Sequence, residues 1–472
     1  MKYGVSMLPG GADTIVAQAT VGARSALAVI RLSGPDAHRI GAAVLSPWRP
    51  SPRRAYLAIL RDPKSLRDID RGIVIVYAGP ASYTGEDMIE FSLHGGKVGP
   101  ALAINVLLAS GARSALPGEF TRRALLNGKL DLLQAEAIAD LVDARSRAMH
   151  EVALSQLAGH LSARLDTLRE EIIQVEALLA YDVDFPEEDN GPVAASRIAQ
   201  AARDALATID ALLATVVTGE MIRGGAAVVI AGAPNAGKSS LFNALVGTQR
   251  AIVTDIPGTT RDALEAMIDV QQWPVRLVDT AGLRASDDMD MVERLGIEVA
   301  EQQVNSAAIV LVCGENVESL SMAIMSVRQL TTAPLIAVGT KSDAGEIPPA
   351  AVAALLALHG ATASIDYAAV SAQTGDRLAA LVQKIAEILE RDRSPLSESN
   401  PVLTRERHRI ALASARSEIA EFLEIWNCTN GLPVTVAAVH LQSARGYLEE
   451  LVGVLDVEDV LDRVFSSFCV GK

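Results

Sequence analysis

Length, composition and charge already exclude several classes of protein. The chain has 472 residues, of which 50% are hydrophobic and 21% charged, which predicts a globular protein with two to four domains. Its longest apolar runs are shorter than the roughly 18 residues that span a bilayer, and no signal-peptide pattern precedes them. Only three cysteines are present (Cys313, Cys428 and Cys469), so we expect a cytoplasmic protein without a disulfide framework and without membrane attachment.

The net charge of −15 is unevenly distributed. Residues 1–130 contain 16 Lys and Arg against 9 Asp and Glu, a balance of +7, so the remainder carries −22. A basic N-terminal block can attract an anionic partner locally, but such a balance is equally typical of ordinary solvated surface. Charge alone therefore does not indicate nucleic-acid binding.

The first 130 residues are predicted to form an α+β domain. Gly72–Tyr77 and Met88–Leu93 have the composition and alternation of strands. Ala101–Ser110 is mostly apolar and predicts a short buried helix. Gly and Pro residues separate these elements, as in a domain with short connections.

A long helical region follows. Apolar residues at helical spacing predict helix over Asp131–Tyr181, with a break near Gly159 because an unbroken helix of this length would be unusually long. The acidic turn Phe185–Pro192 is expected to end it. A second helix is predicted over Val193–Thr218, ending at Gly219.

Short apolar strands alternate with helices from Gly224 to about Arg391, as a parallel α/β sheet requires. The predicted strands are Ala226–Ala231, Val275–Asp279, Ala307–Cys313, Leu335–Gly339 and Tyr367–Val370. Two more helices are predicted, over Val402–Trp426 and from Val434 to Gly446 and beyond. The pattern predicts an N-terminal domain at 1–130, a helical domain in two parts at 131–223 and 392–472, and an inserted nucleotide domain at 224–391.

One segment decides the class of protein. Gly232–Ser239 reads GAPNAGKS and fits the P-loop pattern GxxxxGK[ST], after an apolar strand and before a helix. In such a loop backbone N–H groups enclose phosphate oxygens, Lys238 supplies positive charge to the β- and γ-phosphates, and Ser239 ligates Mg²⁺. A Gly-rich turn without function is the alternative, and the correct flanking elements disfavour it.

Further segments follow at the spacing of a guanine-specific GTPase. Asp279–Gly282 (DTAG) ends a strand, where a carboxylate can hold the magnesium shell, and Thr259 and Thr260 lie in a polar loop suited to sensing the γ-phosphate. Thr340–Asp343 (TKSD) ends another strand, and its carboxylate can accept from two guanine N–H groups that adenine lacks. Ser371–Gly375 (SAQTG) would close over the base. Together these segments predict a P-loop GTPase.

Two positions depart from the usual pattern. Thr340 stands where asparagine is usual, so we expect GTP preference to survive through Asp343 with some loss of affinity or selectivity. Leu283 stands where Ras-like switches have the glutamine that orients the attacking water. Another source of stabilisation is therefore needed: the carboxamide oxygen of Asn235 can ligate a monovalent cation, and Glu293 can align water, although spacing alone favours a solvated acidic face for Glu293.

A set of short motifs outside the P-loop carries a family resemblance. They are Asp13–Thr20 (DTIVAQAT), Ser82–Asp87 (SYTGED), His94–Gly96, Pro117–Thr121 (PGEFT), Asn127–Leu132 with Gln134–Ala137, Thr254–Asp262 and Phe465–Lys472 (FSSFCVGK). Through these motifs the chain resembles the MnmE (TrmE) family of tRNA-modification GTPases along essentially its whole length.

For the nucleotide domain, the resemblance implies a K⁺-activated GTPase with a Ras-like, doubly wound sheet that dimerises across its switch face. It implies potassium ligands at Asn235, Thr254, Ile256 and Thr259, magnesium ligands at Ser239 and Thr260, and orientation of water by Glu293. The implied GTP-binding positions are Asn235, Ala236, Gly237, Lys238, Ser239, Ser240, Thr254, Asp255, Ile256, Pro257, Gly258, Thr259, Thr260, Asp279, Thr280, Ala281, Gly282, Thr340, Lys341, Ser342 and Asp343.

For residues 1–130, the resemblance implies a dimerising domain that binds a 5-formyl- or methylene-tetrahydrofolate. The matching positions are Arg31, Glu90, Lys129 and Lys472, each of which would otherwise be interpreted as ordinary surface charge. Cys469 becomes a candidate catalytic residue, although a free cysteine is most often a small buried hydrophobe.

The implied reaction modifies carbon 5 of the wobble uridine of certain tRNAs with an aminomethyl or carboxymethylaminomethyl group. The implied assembly is a homodimer that forms a heterotetramer with a flavoprotein partner, MnmG. Two alternatives stay open: a ribosome-assembly GTPase, although the region after Arg391 contains no GxxG of a KH domain, and a stand-alone folate-dependent methyltransferase regulated by GTP. Association with ribosomal subunits, with a flavoprotein, or with folate alone would distinguish the three.

Overall fold

The computed structural model describes residues 13–184, 194–248, 264–271, 273–280, 301–359, 365–391, 401–427 and 434–453, together with Phe468 and Gly471. The chain divides into two compact units, one formed by Met1–Ala139 with Leu448–Lys472 and the other by Asp140–Tyr447. The α/β segment and the helical segments around it thus belong to one unit.

The first unit is built on a seven-stranded sheet. Its strands are β1 (Ile15–Gln18), β2 (Leu27–Ser33), β3 (Leu45–Ser46), β4 (Ala55–Arg61), β5 (Asp68–Tyr77), β6 (Met88–His94) and β7 (Arg113–Ser114). Its helices are α1 (Ala37–Val44), α2 (Val98–Ala109), α3 (Glu119–Leu126) and most of α4 (Leu132–Asp143). The strand order is β3-β4-β5-β6-β2-β1-β7, antiparallel except between β1 and β7.

Alternation along the strands separates a covered face of this sheet from an open one. Ile30, Val74 and Phe91 lie on the face covered by α1 and α2 and are fully or almost fully buried. On the opposite face Leu57 and Ile73, direct neighbours on β4 and β5, are 47% and 41% exposed. The strands predicted in this region are confirmed as β5 and β6.

The apolar segment predicted as a buried helix is helical but only half covered. It forms α2, in which Pro100, Ala103 and Leu107 are buried whereas Val98 and Leu102 are exposed. The prediction of full burial was wrong because α2 covers one face of a sheet, so its other side meets solvent.

A partly buried ion-pair network joins three of the short motifs. The guanidinium of Arg123, whose residue is 4% exposed, donates to Asp13 at 2.7 Å, to Glu86 at 3.1 Å and to Glu119 at 3.0 Å. Arg113 contacts Asp13 and Glu119 as well. Although burial opposes it, hydrogen bonding to Arg113 and Arg123 lowers the pKa of the Glu119 carboxyl. The motifs DTIVAQAT, SYTGED and PGEFT therefore meet at one charged cluster in the first unit.

The C-terminal motif reaches the same unit. Phe468 is 8% exposed and packs against Leu132 and Ala135 of α4. Gly471 has a φ of 102°, and a Cβ there would lie 2.3 Å from the carbonyl oxygen of Gln18. Only glycine fits this approach, because a side chain would collide with the DTIVAQAT motif.

The second unit combines a helical bundle with an α/β layer. Its helices are α5 (Arg147–Leu157), α6 (His160–Asp184), α7 (Ala195–Leu213), α8 (Val216–Gly224), α9 (Lys238–Thr248), α10 (Val317–Arg328), α11 (Pro349–His359), α12 (Leu378–Arg391), α13 (Glu406–Asn427) and most of α14 (Val434–Val452). Its strands are β8 (Ala226–Gly232), β9 (Leu264–Val270), β10 (Trp273–Asp279), β11 (Ile309–Gly314), β12 (Leu335–Gly339) and β13 (Ile365–Ala369).

The six strands lie in the order β13-β12-β11-β8-β10-β9 and are parallel except for β9. One face packs against α9 and α12, the other against α10 and α11, as in a doubly wound sheet. The five predicted strands are confirmed, Leu335–Gly339 with both ends as predicted and the other four with ends shifted by one or two residues, and β9 was missed. An edge strand of mixed composition, LEAMIDV, gives little periodic signal.

The predicted helical region after Asp131 is confirmed as α4, α5 and α6, and Gly159 adopts a φ of 87° at the α5–α6 turn. The second helix does not end at Gly219. It turns at residues 214–215 and continues as α8 to Gly224. A Cβ at Gly219 would lie 1.8 Å from the carbonyl oxygen of Leu403, so this glycine permits a close crossing rather than ending a helix.

The close approach of Leu403 to Gly219 also explains why a second predicted helix end was wrong. The helix expected from Val402 begins only at Glu406, and residues 401–405 before it form neither helix nor strand. Leu403 N donates to Thr215 Oγ1 at 3.1 Å, and Gln156 Nε2 donates to the Val402 carbonyl at 2.9 Å. Tertiary hydrogen bonds thus compete successfully with helix formation at this segment. The predicted acidic turn Phe185–Pro192 lies outside the described residues.

One stretch in the described part of the chain, Ala195–Gly224, is long and apolar enough to cross a membrane by length and composition. It consists of α7 and α8. The apolar residues Ile198, Ala202 and Ile209 of α7 are buried where this helix packs against α6 and α13. Core packing in a bundle therefore accounts for its apolar composition.

Candidate nucleotide-binding site

The P-loop connects β8 to α9 at the carboxyl end of the central strand of the sheet. Gly232 has a φ of 145°, and a Cβ on it would lie 2.5 Å from the carbonyl oxygen of Cys313 on β11. Gly237 has a φ of 80°. Both positions therefore require glycine, which lets the backbone close into a tight loop before the first turn of α9.

Lys238 lies inside this loop. Its residue is 8% exposed, and its ammonium group donates to the carbonyl oxygens of Gly232 at 2.9 Å and Ala233 at 2.8 Å. The positive charge is held within the curve of the loop. A phosphate entering the loop would meet a preplaced cation together with the N-terminus of α9.

Ser239 and Asp279 come together although 40 residues separate them. The Ser239 hydroxyl donates to Asp279 Oδ2 at 2.7 Å, and Asp279 is fully buried at the end of β10. They meet because β8 and β10 are adjacent parallel strands. A hydroxyl beside a carboxylate is an oxygen donor set of the kind that Mg²⁺ prefers, so these residues fit the predicted metal.

Thr280 and Asn235 are two further described residues at the P-loop end of the site. Thr280 donates through its hydroxyl to the Ile230 carbonyl at 2.9 Å, which ties the DTAG segment to β8. Asn235 is exposed and has a left-handed φ of 64°. It lines a cleft of about 890 Å³ with Ala233, Lys238 and Ser239. Its carboxamide is thus accessible from the cleft in which the phosphates would bind.

The TKSD and SAQTG segments end neighbouring strands. Thr340 follows β12 and its hydroxyl donates to the Ala236 carbonyl at 2.9 Å. The Ser342 amide donates to the Val370 carbonyl at 3.2 Å, and Asp343 is exposed. The buried Ser371 hydroxyl accepts from the Thr374 amide at 3.2 Å, which shapes the SAQTG turn. Base-side and phosphate-side segments therefore meet at one edge of the sheet.

A second group of predicted residues lies on the open face of the sheet in the first unit. Arg31 and Glu90 face each other on β2 and β6, with Nε and Oε1 separated by 2.8 Å. The Tyr77 hydroxyl donates to Glu90 Oε2 at 3.2 Å, and the Arg31 guanidinium lies 5.2 Å from the centre of the Tyr83 ring. Lys129 is exposed, and its side chain lies near Gly85.

Sequence reasoning missed the two tyrosines of this group. Burial, and next the neighbouring Glu90 carboxylate, raise the pKa of the Tyr77 hydroxyl, so it stays protonated and acts as a donor. Tyr83 lies within the SYTGED motif, which was the available signal. No sequence signal indicated Tyr77, because tyrosine is a common residue in strands.

The remaining predicted site residues lie outside the described part of the chain. They are Thr254, Asp255, Ile256, Pro257, Gly258, Thr259, Thr260, Ala281, Gly282, Glu293, Cys469 and Lys472. Their roles stay predictions.

Comparison with known proteins decides the family. A family described as "MnmE helical domain" matches residues 132–469, and one described as "GTP-binding protein TrmE N-terminus" matches residues 14–129. The tRNA modification GTPases MnmE of Moorella thermoacetica and Aquifex aeolicus are 39% and 38% identical, each over 98% of this chain and 99% or more of the relative. The chain belongs to the MnmE family of tRNA modification GTPases.

Other MnmE relatives agree, and more distant structures add little. The MnmE protein of Acidiphilium cryptum is 41% identical over 98% of this chain and 99% of its own length. Among solved structures, Era of Aquifex aeolicus is 24% identical over 41% of this chain and 66% of its own, with a TM-score of 0.27. That score is too low to support a conclusion.

Proposed function

We propose that this chain is a K⁺-activated GTPase that acts with a flavoprotein partner, MnmG, to modify carbon 5 of the wobble uridine of certain tRNAs. Membership of the MnmE family supports the coarser part, GTP hydrolysis coupled to tRNA modification. The observation that supports nucleotide hydrolysis most directly is the contact of Ser239 with buried Asp279 beside Lys238.

Both described residues and residues predicted from the sequence have a part in the proposed hydrolysis. When nucleotide binds, the Lys238 ammonium group would leave the carbonyl oxygens of Gly232 and Ala233 and donate to phosphate oxygens instead. Its positive charge would stabilise the negative charge of the phosphates. Ser239 would ligate Mg²⁺, and the Asp279 carboxylate would accept hydrogen bonds from the water ligands of the metal. Because Leu283 cannot orient water, we assign that role to Glu293. A bound K⁺ supplies the positive charge that an arginine finger supplies elsewhere, and Asn235 with Thr254, Ile256 and Thr259 would hold it.

Exchange of K⁺ for Na⁺ at constant ionic strength should lower the GTP turnover number at least about tenfold, because oxygens spaced for the larger ion coordinate the smaller one poorly. Asn235→Gly keeps the left-handed backbone that Asn235 adopts (φ 64°) but removes the carboxamide. This variant should be slow in both salts, with little difference between them. Equal turnover of the unaltered protein in K⁺ and Na⁺ would remove the cation from the mechanism.

The N-terminal part of the proposal concerns the one-carbon donor. We assign tetrahydrofolate binding to Arg31, Glu90 and Lys129 of residues 1–130 and to Lys472 from the C-terminus, with Cys469 as a candidate catalytic residue. The contact of Arg31 with Glu90 beside two tyrosine rings supports a polar site flanked by flat apolar surface. Isothermal titration with 5-formyltetrahydrofolate tests it, and loss of binding in Glu90→Gln is expected.

We further propose a homodimer, a heterotetramer with MnmG, and a division into an N-terminal domain at 1–130, helical parts at 131–223 and 392–472, and a G domain at 224–391. The exposed apolar side chains of Leu57 and Ile73 on the open sheet face support self-association of the first unit. Sedimentation of the purified chain, alone and with the flavoprotein, tests the assembly.

Nucleoside analysis of tRNA tests the function as a whole. Cells lacking the gene should lose the modified wobble uridine, and the unaltered gene should restore it. A variant with Ser239→Ala should not restore it. Normal tRNA together with a ribosomal-subunit defect would instead favour the ribosome-assembly alternative.

A further inference from the structure

Thr340 makes a contact that its position in a base-recognition segment did not predict. Its residue is 5% exposed and its hydroxyl donates to the carbonyl oxygen of Ala236, within the P-loop, at 2.9 Å. Its own amide donates to the Gly314 carbonyl at the end of β11. The side chain thus faces the phosphate loop from a strand end that is itself fixed in the sheet.

The chemistry of a hydroxyl limits what else Thr340 can do. A threonine hydroxyl has one proton to donate, and here that proton is used on the Ala236 carbonyl. The exposed edge of guanine offers N7 and O6, which are both acceptors. An asparagine carries two amide protons and can serve the loop and the base together, whereas Thr340 in this contact cannot donate to the base.

The hydrogen bond from Thr340 also fixes the orientation of the peptide unit between Ala236 and Gly237. A peptide unit is planar and trans, so its N–H points away from its C=O. Holding the Ala236 carbonyl toward Thr340 therefore directs the Gly237 N–H to the opposite side of the loop. Lys341 Nζ donates to the Asn235 carbonyl at 3.3 Å on the same side as Thr340. Two successive carbonyls are thus held by the TKSD segment, which fixes the orientation of the next amide, that of Gly237.

We propose that Thr340 is a positioning residue for the P-loop and does not read the base, so that base recognition by this segment falls to Asp343. The inference rests on the proposed binding of guanine nucleotides at this site. It predicts that loss of the Thr340 hydroxyl weakens binding of every nucleotide to the same extent, and that binding is indifferent to the N7 atom of guanine.

Titration of GDP and 7-deaza-GDP, which lacks the N7 acceptor, tests the proposal on the full chain. The unaltered protein should bind both with affinities within about twofold. Thr340→Val, which keeps the shape and leaves the Ala236 carbonyl without its donor, should weaken both about tenfold. Thr340→Ser should restore affinity to within about threefold, and Thr340→Asn should bind GDP more tightly than 7-deaza-GDP.

A control separates this effect from general destabilisation. Thr331 is a buried threonine of the same sheet layer, 8% exposed, whose hydroxyl accepts from the Ala333 amide at 3.1 Å before β12 begins. Thr331→Val should leave both affinities unchanged. Thermal unfolding midpoints of all variants show whether each one folds.

The outcomes separate the inference from the function on which it rests. Failure of the unaltered protein to bind GDP would overturn the proposed function, and the inference with it. Binding of GDP that Thr340→Val leaves unchanged would overturn the inference alone. A loss of more than about threefold for 7-deaza-GDP in the unaltered protein would also overturn it, because N7 would then be recognised.

Discussion

Replacing Ser239 by alanine should lower the turnover number for GTP roughly 100-fold or more while changing GDP affinity much less. The Ser239 hydroxyl lies 2.7 Å from Asp279 Oδ2, so its removal deletes the proposed magnesium ligand and the hydrogen bond to this carboxylate. A magnesium ion contributes several kcal/mol by stabilising charge in the transition state. Phosphate release at several Mg²⁺ concentrations measures the effect.

A matched serine provides the control for this experiment. Ser306 is exposed in the same unit, and its hydroxyl donates to the Gln302 carbonyl one helical turn earlier. Ser306→Ala should hydrolyse GTP at the unaltered rate with the unaltered Mg²⁺ dependence. If Ser239→Ala retained both, magnesium ligation by this serine would be wrong.

Replacing Arg123 by methionine should lower the free energy of unfolding of the first unit by about 3–5 kcal/mol, because one partner of a buried charge network is removed. Asp13, Glu86 and Glu119 all lie within 3.1 Å of the Arg123 guanidinium, which is almost fully buried. Calorimetry of the full chain should show the transition of the first unit at a lower temperature.

An exposed ion pair of the same sheet tests whether burial causes the large loss of stability expected for the Arg123 variant. Arg61 contacts Asp68 at 2.7 Å, and their side chains are 38% and 56% exposed. Arg61→Met should cost at most about 1 kcal/mol, as surface pairs do. Equal losses for the two variants would show that the Arg123 network contributes no more than a surface pair.

Two of the predicted helix ends were wrong because a contact with a distant segment outweighed the local signal. A glycine such as Gly219 is typical of a helix end, yet it lies inside α8. Because it has no side chain, the Leu403 carbonyl can approach the helix closely there. Residues 402–405 have helical composition, yet their backbone groups bond Thr215 and Gln156. Both errors have one origin, a crossing of chain segments far apart in sequence.

The sequence explained the P-loop fully but explained the N-terminal motifs only in part. The P-loop follows from a short contiguous pattern whose glycines, lysine and serine each meet a local requirement. The N-terminal motifs were recognisable but had no physical explanation until Asp13, Glu86 and Glu119 were seen around Arg123. A network assembled from four segments leaves no periodic trace in any one of them.

The amino-acid sequence by itself determined the class of this protein, because the phosphate loop, the TKSD segment and the strand–helix alternation are local and each residue type is required by nearby backbone geometry. Only the tertiary structure decided that the Thr340 hydroxyl is used on the Ala236 carbonyl, that Gly219 serves a crossing, and that three motifs share one buried arginine. The Thr340–Ala236, Gly219–Leu403 and Arg123–Asp13 contacts join residues about 100 or more positions apart, and the spacing of residues along a chain carries no record of which distant groups will meet.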